Sequence, residues 1–291
     1  DGELRPASGR ALTRWPDGSA RWCLVNFGAR LAGDYELLLG AAASGAVAAP
    51  TVSLQHEGNL WTLRSEALQV TLSETGPGIF TEITAHGHAF LGQPADLAFE
   101  VDEASTRHET RRVIEVLEQS PQRLRLRVSG AHYQANGERL LSYRLGVELW
   151  AGWPTLRLDY QFFNLEPGAD SRTLGALFLH SHWQLDGPTE RHFLQRNHGL
   201  FYVSRHVWNP APVALAADFV RGDAHVTDPA MLLDEVDYPF YLHAPLVGTD
   251  DWLGVAGPEV AVYARMPDFL VTRPNLMRSA GANLQVDFWP A

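Results

Sequence analysis

Leu124-Arg125-Leu126-Arg127-Val128 alternates apolar and polar side chains at period two, as do Leu156-Arg157-Leu158-Asp159-Tyr160 and Leu284-Gln285-Val286-Asp287-Phe288. A strand points successive side chains to opposite faces. Such runs therefore predict antiparallel strands with one face on a core and the other toward solvent or a cleft. Turn chemistry separates them: Asp17-Gly18, Asn136-Gly137, Gly152 with Pro154, and Pro167-Gly168. Helical pattern is scarce, and the short stretch Ala230 to Glu235 is its best candidate. The pattern has no fixed period of the kind that marks propellers or solenoids. The expectation is an all-β chain: a large antiparallel β-sandwich preceded by a small β-hairpin unit.

The boundary between the two comes from composition. Gly40 to Pro50 reads GAAASGAVAAP, an Ala/Gly tract without a charge, and it has the character of a linker. Residues 1–40 then form a small N-terminal β unit, 41–51 the linker and 52–291 the sandwich. The N-terminal unit holds Trp15-Pro16-Asp17-Gly18-Ser19-Ala20-Arg21-Trp22, in which Pro16 presets a turn, Gly18 supplies positive φ, and Trp15 and Trp22 flank the loop. The hairpin is expected to pack on one edge of the sandwich. Cys23 lies in its second strand and reads as a buried apolar residue.

The chain has 291 residues, 45% hydrophobic and 20% charged, enough to bury a core without disulfides or a structural metal. One cysteine excludes an internal disulfide framework and a cysteine-based zinc finger. All 23 basic residues are Arg, so a Walker A loop and Schiff-base chemistry, which need Lys, have no residue to use. A net charge of −11 argues against nucleic acid as a partner, and no apolar run approaches the roughly 20 residues of a membrane-spanning helix. A local arginine pocket for an anionic sugar remains compatible with that charge. The chain opens at Asp1, which reads as a trimmed start with no leader to interpret, so the compartment stays open.

The turn Trp15 to Trp22, followed by Leu24-Val25-Asn26-Phe27, resembles the opening domain of the rhamnogalacturonan exolyase-like polysaccharide lyase family. Similar stretches follow in order: Tyr143-Arg144-Leu145-Gly146-Val147-Glu148-Leu149-Trp150, Gly152-Trp153-Pro154, Trp252-Leu253-Gly254-Val255, Pro267-Asp268-Phe269, Arg273-Pro274 and Phe288-Trp289-Pro290. The resemblance implies a small β domain, a central galactose-mutarotase-like sandwich and a C-terminal α/α toroid, which would begin where this chain ends. It implies β-elimination at a uronic acid unit of an acidic polysaccharide of the pectin or rhamnogalacturonan type. That reaction needs a group to neutralise the carboxylate, a base for the adjacent C–H proton and an acid for the leaving oxygen. A family lysine role has no position in this chain.

Five of the twelve histidines fall between His180 and His206. In Gly175 to Leu185, alternation puts Phe178, His180, His182 and Gln184 on one face and Leu177, Leu179 and Trp183 on the other. The stretch Arg191 to His206 has two readings. As one strand, it places His192, Arg196, His198, Tyr202 and His206 on a shared face. As a hairpin turning at Asn197-His198-Gly199, it puts His198 on the loop tip and Arg191 near His206. Either way, imidazoles, guanidiniums and a phenol gather on adjacent strands, the inventory a uronate site requires. His198, His206 and Tyr202 are the candidate catalytic groups, and His182, His192, Gln195, Arg196, Arg205 and Trp208 the candidate substrate contacts. Taken singly, each histidine is equally at home as a hydrogen-bonded sheet residue.

No cofactor is required by this reading. His180-x-His182 has ligand-compatible spacing for a metal, with His192 or His206 as a third donor. The acidic run Asp223, Asp228, Asp234, Glu235 and Asp237 could collect calcium but lacks a calcium loop's spacing. Two function classes stay open: a lyase-like enzyme contributing one wall of a cleft, or a sandwich that binds sugar or docks a catalytic domain without doing chemistry. A mutarotase- or epimerase-like enzyme is a third possibility. The expected partners are an acidic oligosaccharide or polysaccharide and the C-terminal toroid. Without that second wall, weak binding and little elimination are expected.

Overall fold

The computed structural model describes residues 7–27, 51–164, 174–197, 203–209, 213–217, 224–226, 247–249, 252–266 and 275–289. The described residues are almost entirely strands, with two short 3-10 turns at Pro94–Asp96 and Thr106–His108. The pairings are antiparallel throughout, as the alternation predicts. The helix expected at Ala230 to Glu235, the turn at Pro167-Gly168 and the acidic run from Asp223 to Asp237 lie outside the described residues.

Three sheets form. A five-stranded meander runs from Ser53–Glu57 through Leu60–Arg64, Leu68–Ser73 and Phe80–Ala85 to His88–Ala89. A 16-stranded sheet starts at the Leu156–Phe163 edge and passes through Arg139–Trp150 and Arg123–Tyr133 to the short strand Ala104–Ser105. Its middle holds Leu97–Val101, Leu177–His182, Asn283–Trp289 and Asn275–Ala280, in that order. It continues through Val213–Ala217, Ala224–Val226 and Val247–Thr249 to Glu190–Asn197, then Trp252–Ala256 and the Ala261–Arg265 edge.

The core lies between the meander and the large sheet. Leu63, Val70, Leu72 and Phe80 from the meander belong to one buried cluster with Leu124, Leu126, Val128, Leu145, Val147 and Leu149 of the large sheet. Leu253, Val255, Met277 and Leu284 extend that cluster to the far half of the sheet. Among the described side chains, these residues mark one side of the large sheet as the core side, and the opposite side is the open side.

A buried ion pair ties the layers. Arg112 Nε donates to Glu109 Oε2 at 2.9 Å, and its other nitrogens reach the carbonyls of Ser73, Gly76 and Gly78 in the meander. Glu109 also accepts from the Tyr143 hydroxyl at 2.6 Å and the Ala131 amide at 2.7 Å. Gly130 leaves room for this carboxylate, since a Cβ there would fall 1.9 Å from Glu109 Oε1.

The N-terminal hairpin differs from expectation in one respect, the burial of its cysteine. Ala7–Arg14 and Ala20–Phe27 form a two-stranded sheet of their own and, among the described residues, pair with no strand of the sandwich. Cys23 is exposed, because a two-stranded ribbon has no second layer to bury it. The turn itself is as read, with Gly18 at φ +84° and Ser19 N donating to Asp17 Oδ1 at 2.9 Å. The partner of the Trp15 ring is Arg21, whose guanidinium lies 4.7 Å from its centroid, and both Trp15 and Trp22 stay exposed.

Candidate functional site

The histidine-rich stretch is a hairpin. Glu190–Asn197 pairs antiparallel with Val203–Asn209, from Arg191 opposite Asn209 to Asn197 opposite Val203. The single-strand alternative is excluded. His206 lies opposite Leu194, not beside Arg191, and His192 lies opposite Trp208. His198 and Tyr202 fall outside the described residues. Alternation then sorts the rest. Arg191 pairs with Val255, a core residue, so Arg191 is on the core side, and Gln195 and Arg205 are strand positions in register with it. His192 is on the open side, and Arg196, His206 and Trp208 are strand positions in register with it.

That open side is continuous with the one carrying His182. Through the register, Arg196 pairs with Gly248, Gly248 with His225, His225 with Ala216, Ala216 with Leu276, Leu276 with Asp287 and Asp287 with Phe178. Phe178, His180 and His182 share a side by alternation, while Leu177 is buried and Leu179 packs on the core. The predicted split of this strand therefore holds.

Two clusters of side chains are built on this side. The first is aromatic. In Trp252–Ala256, Leu253 and Val255 point into the core and Trp252 and Gly254 point out. His192 and Tyr263 both lie opposite Gly254. The tyrosine ring lies across the glycine, where a Cβ would come within 2.5 Å of Tyr263 Cδ1 and Cε1. His192 Nδ1 is 3.1 Å from the Tyr263 hydroxyl. The rings of His192, Trp252 and Tyr263 meet edge to face, with centroids 5.0 to 5.9 Å apart. Tyr263 is nevertheless 51% exposed. Partial burial raises its hydroxyl pKa, which keeps it a neutral donor.

The second cluster is polar and lies on Leu97–Val101, the turn Thr106–His108, Leu177–His182, Asn275–Ala280 and Asn283–Trp289. Arg107 Nη2 is 2.7 Å from His180 Nδ1 and 3.2 Å from Glu100 Oε1. His182 Nδ1 is 2.9 Å from Asn283 Oδ1. Asp287 is 2% exposed, and Arg278 Nε lies 3.0 Å from its Oδ2. Burial lowers the pKa of His180, helped by the Arg107 charge, and burial raises that of Asp287. Among the described residues, no group of three His, Cys, Asp or Glu is arranged to hold a metal ion.

Sequence reading missed Gly254, Tyr263, Arg107 and Asn283 as site residues. Gly254 alone carried a local signal, an isolated glycine inside an apolar strand, which marks close approach of a neighbour. Tyr263 and Asn283 come from strands distant in sequence, and Arg107 from the short 3-10 turn Thr106–His108. The chain matches no protein-family model and no curated protein.

Proposed function

We propose that the open side of the large sheet holds a polysaccharide chain, and that the protein is a carbohydrate-active β-sandwich of the polysaccharide lyase-like kind, acting on uronic-acid-containing chains. The observation that carries this reading is the ring of Tyr263 lying across Gly254, braced by His192 and Trp252 and half open to solvent. An aromatic face carries negative quadrupole charge and attracts the weakly positive C–H face of a pyranose. The polar cluster on the same side offers the hydrogen-bond donors and acceptors that fix a sugar's orientation.

One observation favours the second reading, a binding module without chemistry of its own. Arg107 and Arg278 on this side already have carboxylate partners in Glu100 and Asp287. A uronate bound there meets guanidiniums whose charge is largely spent, and neutralisation in β-elimination would fall to another cation.

Titration with oligogalacturonate and rhamnogalacturonan fragments tests the proposal, alongside absorbance of the unsaturated product. Tyr263→Ala removes a stacking contact of about 0.5–1.5 kcal/mol, so affinity should fall about 2- to 12-fold. Equal affinity of Tyr263→Ala and the parent chain for these ligands would sink the site. Binding without product would select the binding-module reading.

A further inference from the structure

His180 and His182 are two residues apart on one strand and face the same side, yet their neighbours fix them in opposite hydrogen-bonding states. The guanidinium of Arg107 has only donors, so His180 Nδ1, 2.7 Å from Arg107 Nη2, must present a lone pair. A neutral imidazole with an unprotonated Nδ1 carries its proton on Nε2. The Glu100 carboxylate, 3.2 Å from the same Arg107 nitrogen, holds the guanidinium in place. At His182 the logic reverses. Asn283 Oδ1, 2.9 Å from Nδ1, can only accept, so Nδ1 carries the proton and Nε2 the lone pair. Among the described residues, neither Nε2 meets a protein partner.

We infer that His180 and His182 form a donor–acceptor pair that reads one uronate unit, with the His180 Nε2–H given to a carboxylate oxygen and the His182 Nε2 taking a sugar hydroxyl. Two residues of strand separate the rings by roughly 6.6 Å, a spacing that a single pyranose with its substituents bridges. The pair discriminates because each ring can satisfy only one polarity. A unit offering two acceptors or two donors leaves one partner unpaired, which costs about 1–3 kcal/mol in a desolvated site, or about 5- to 150-fold in affinity. Arg107 and Asn283 are positioning residues here, acting through the histidines. The subsite rests on the proposed carbohydrate reading but is built from the other cluster on the open side.

Long-range proton–nitrogen NMR of the 15N-histidine-labelled full chain reads the tautomers directly. The free protein should show His180 protonated at Nε2 and His182 at Nδ1. Oligogalacturonate should then shift the Nε2 resonances of both, and a neutral galactose oligomer should shift them less. Asn283→Leu should release the His182 tautomer and weaken oligogalacturonate several-fold, while Tyr263→Ala should weaken binding and leave both tautomers unchanged. Either tautomer reversed in the free protein overturns the pair. So does oligogalacturonate binding that leaves both rings unmoved. Loss of all oligogalacturonate binding by the parent chain instead overturns the carbohydrate reading, and the subsite with it. That outcome is told apart from failure of the pair itself, because the tautomers are read without ligand.

Discussion

His132 is fully buried, with Nδ1 3.2 Å from the Leu141 carbonyl and Nε2 2.6 Å from the Tyr160 hydroxyl. The carbonyl takes the Nδ1 proton and the phenol donates to Nε2, so the ring is satisfied only when neutral. Burial pushes its pKa down to about 4 from 6.5. The sign follows from linkage. Between those values the unfolded chain binds a proton that the folded chain refuses, so protonation favours unfolding. Stability on this account is complete above pH 6.5 and falls as pH drops toward 4, by about 3 kcal/mol at most. Urea midpoints across that window should therefore decline in the parent chain. The decline should flatten in His132→Gln, which cannot titrate; an unchanged slope would count against a neutral buried ring. Nothing in the sequence near His132 announces this. Tyr160 is 28 residues away, and their pairing comes from the Arg123–Tyr133, Arg139–Trp150 and Leu156–Phe163 strands lying side by side.

Strands with clean alternation were legible from sequence, because a face packed on a core imposes period two. Leu124, Leu126 and Val128 are fully buried while Arg125 and Arg127 lie on the other side. Strand order was not legible. Leu177–His182 inserts between Leu97–Val101 and Asn283–Trp289, partners remote in the chain, and local pattern carries no information about such pairing. The Arg191–His206 stretch shows the same limit from the other direction. Its spacing suited a strand and a hairpin equally, and only the register decides.

The Arg112–Glu109 pair invites an element-level test, since it clamps a meander loop to the large sheet. Arg112→Ala leaves a carboxylate unpaired in the interior and removes the guanidinium donor from four carbonyls, and should cost about 3–5 kcal/mol in chemical denaturation. Tyr143→Phe removes only one donor to Glu109 and should cost less, about 1–2 kcal/mol. At the N-terminal hairpin the reasoning concerns backbone alone. A Cβ on Gly18 meets nothing within 4 Å, so Gly18→Val pays only for its φ of +84°, about 1–3 kcal/mol. A lone two-stranded ribbon cannot absorb that loss. Cross-strand proton contacts between Thr13 and Trp22 should vanish, while the sandwich's unfolding midpoint stays put because the ribbon pairs with none of its strands.

At the scale of the molecule, the two clusters on the open side belong to one sheet but to different strands of it. From Leu177–His182 to Glu190–Asn197 the sheet order takes six steps, through Asn283–Trp289, Asn275–Ala280, Val213–Ala217, Ala224–Val226 and Val247–Thr249. At about 4.8 Å per step this is roughly 29 Å measured along the sheet. A short oligosaccharide laid across those strands from the aromatic cluster would end before the histidine pair, whereas a longer one would engage both. Once a chain spans the two clusters, engagement of the second becomes intramolecular and affinity rises steeply. Oligogalacturonates of increasing length should bind weakly at first and then gain sharply past a threshold. Below the threshold, Tyr263→Ala and His180→Ala should each affect only the ligands seated at their own cluster. Above it, the two substitutions should have free-energy effects on one ligand that add within about 0.3–0.5 kcal/mol, as sites this far apart with no shared partner do. Calorimetry on a length series with the two single variants and the double variant measures all of this. Affinity that grows smoothly with length, with either substitution abolishing binding of every oligomer, would mean a single compact site in place of a track across the sheet.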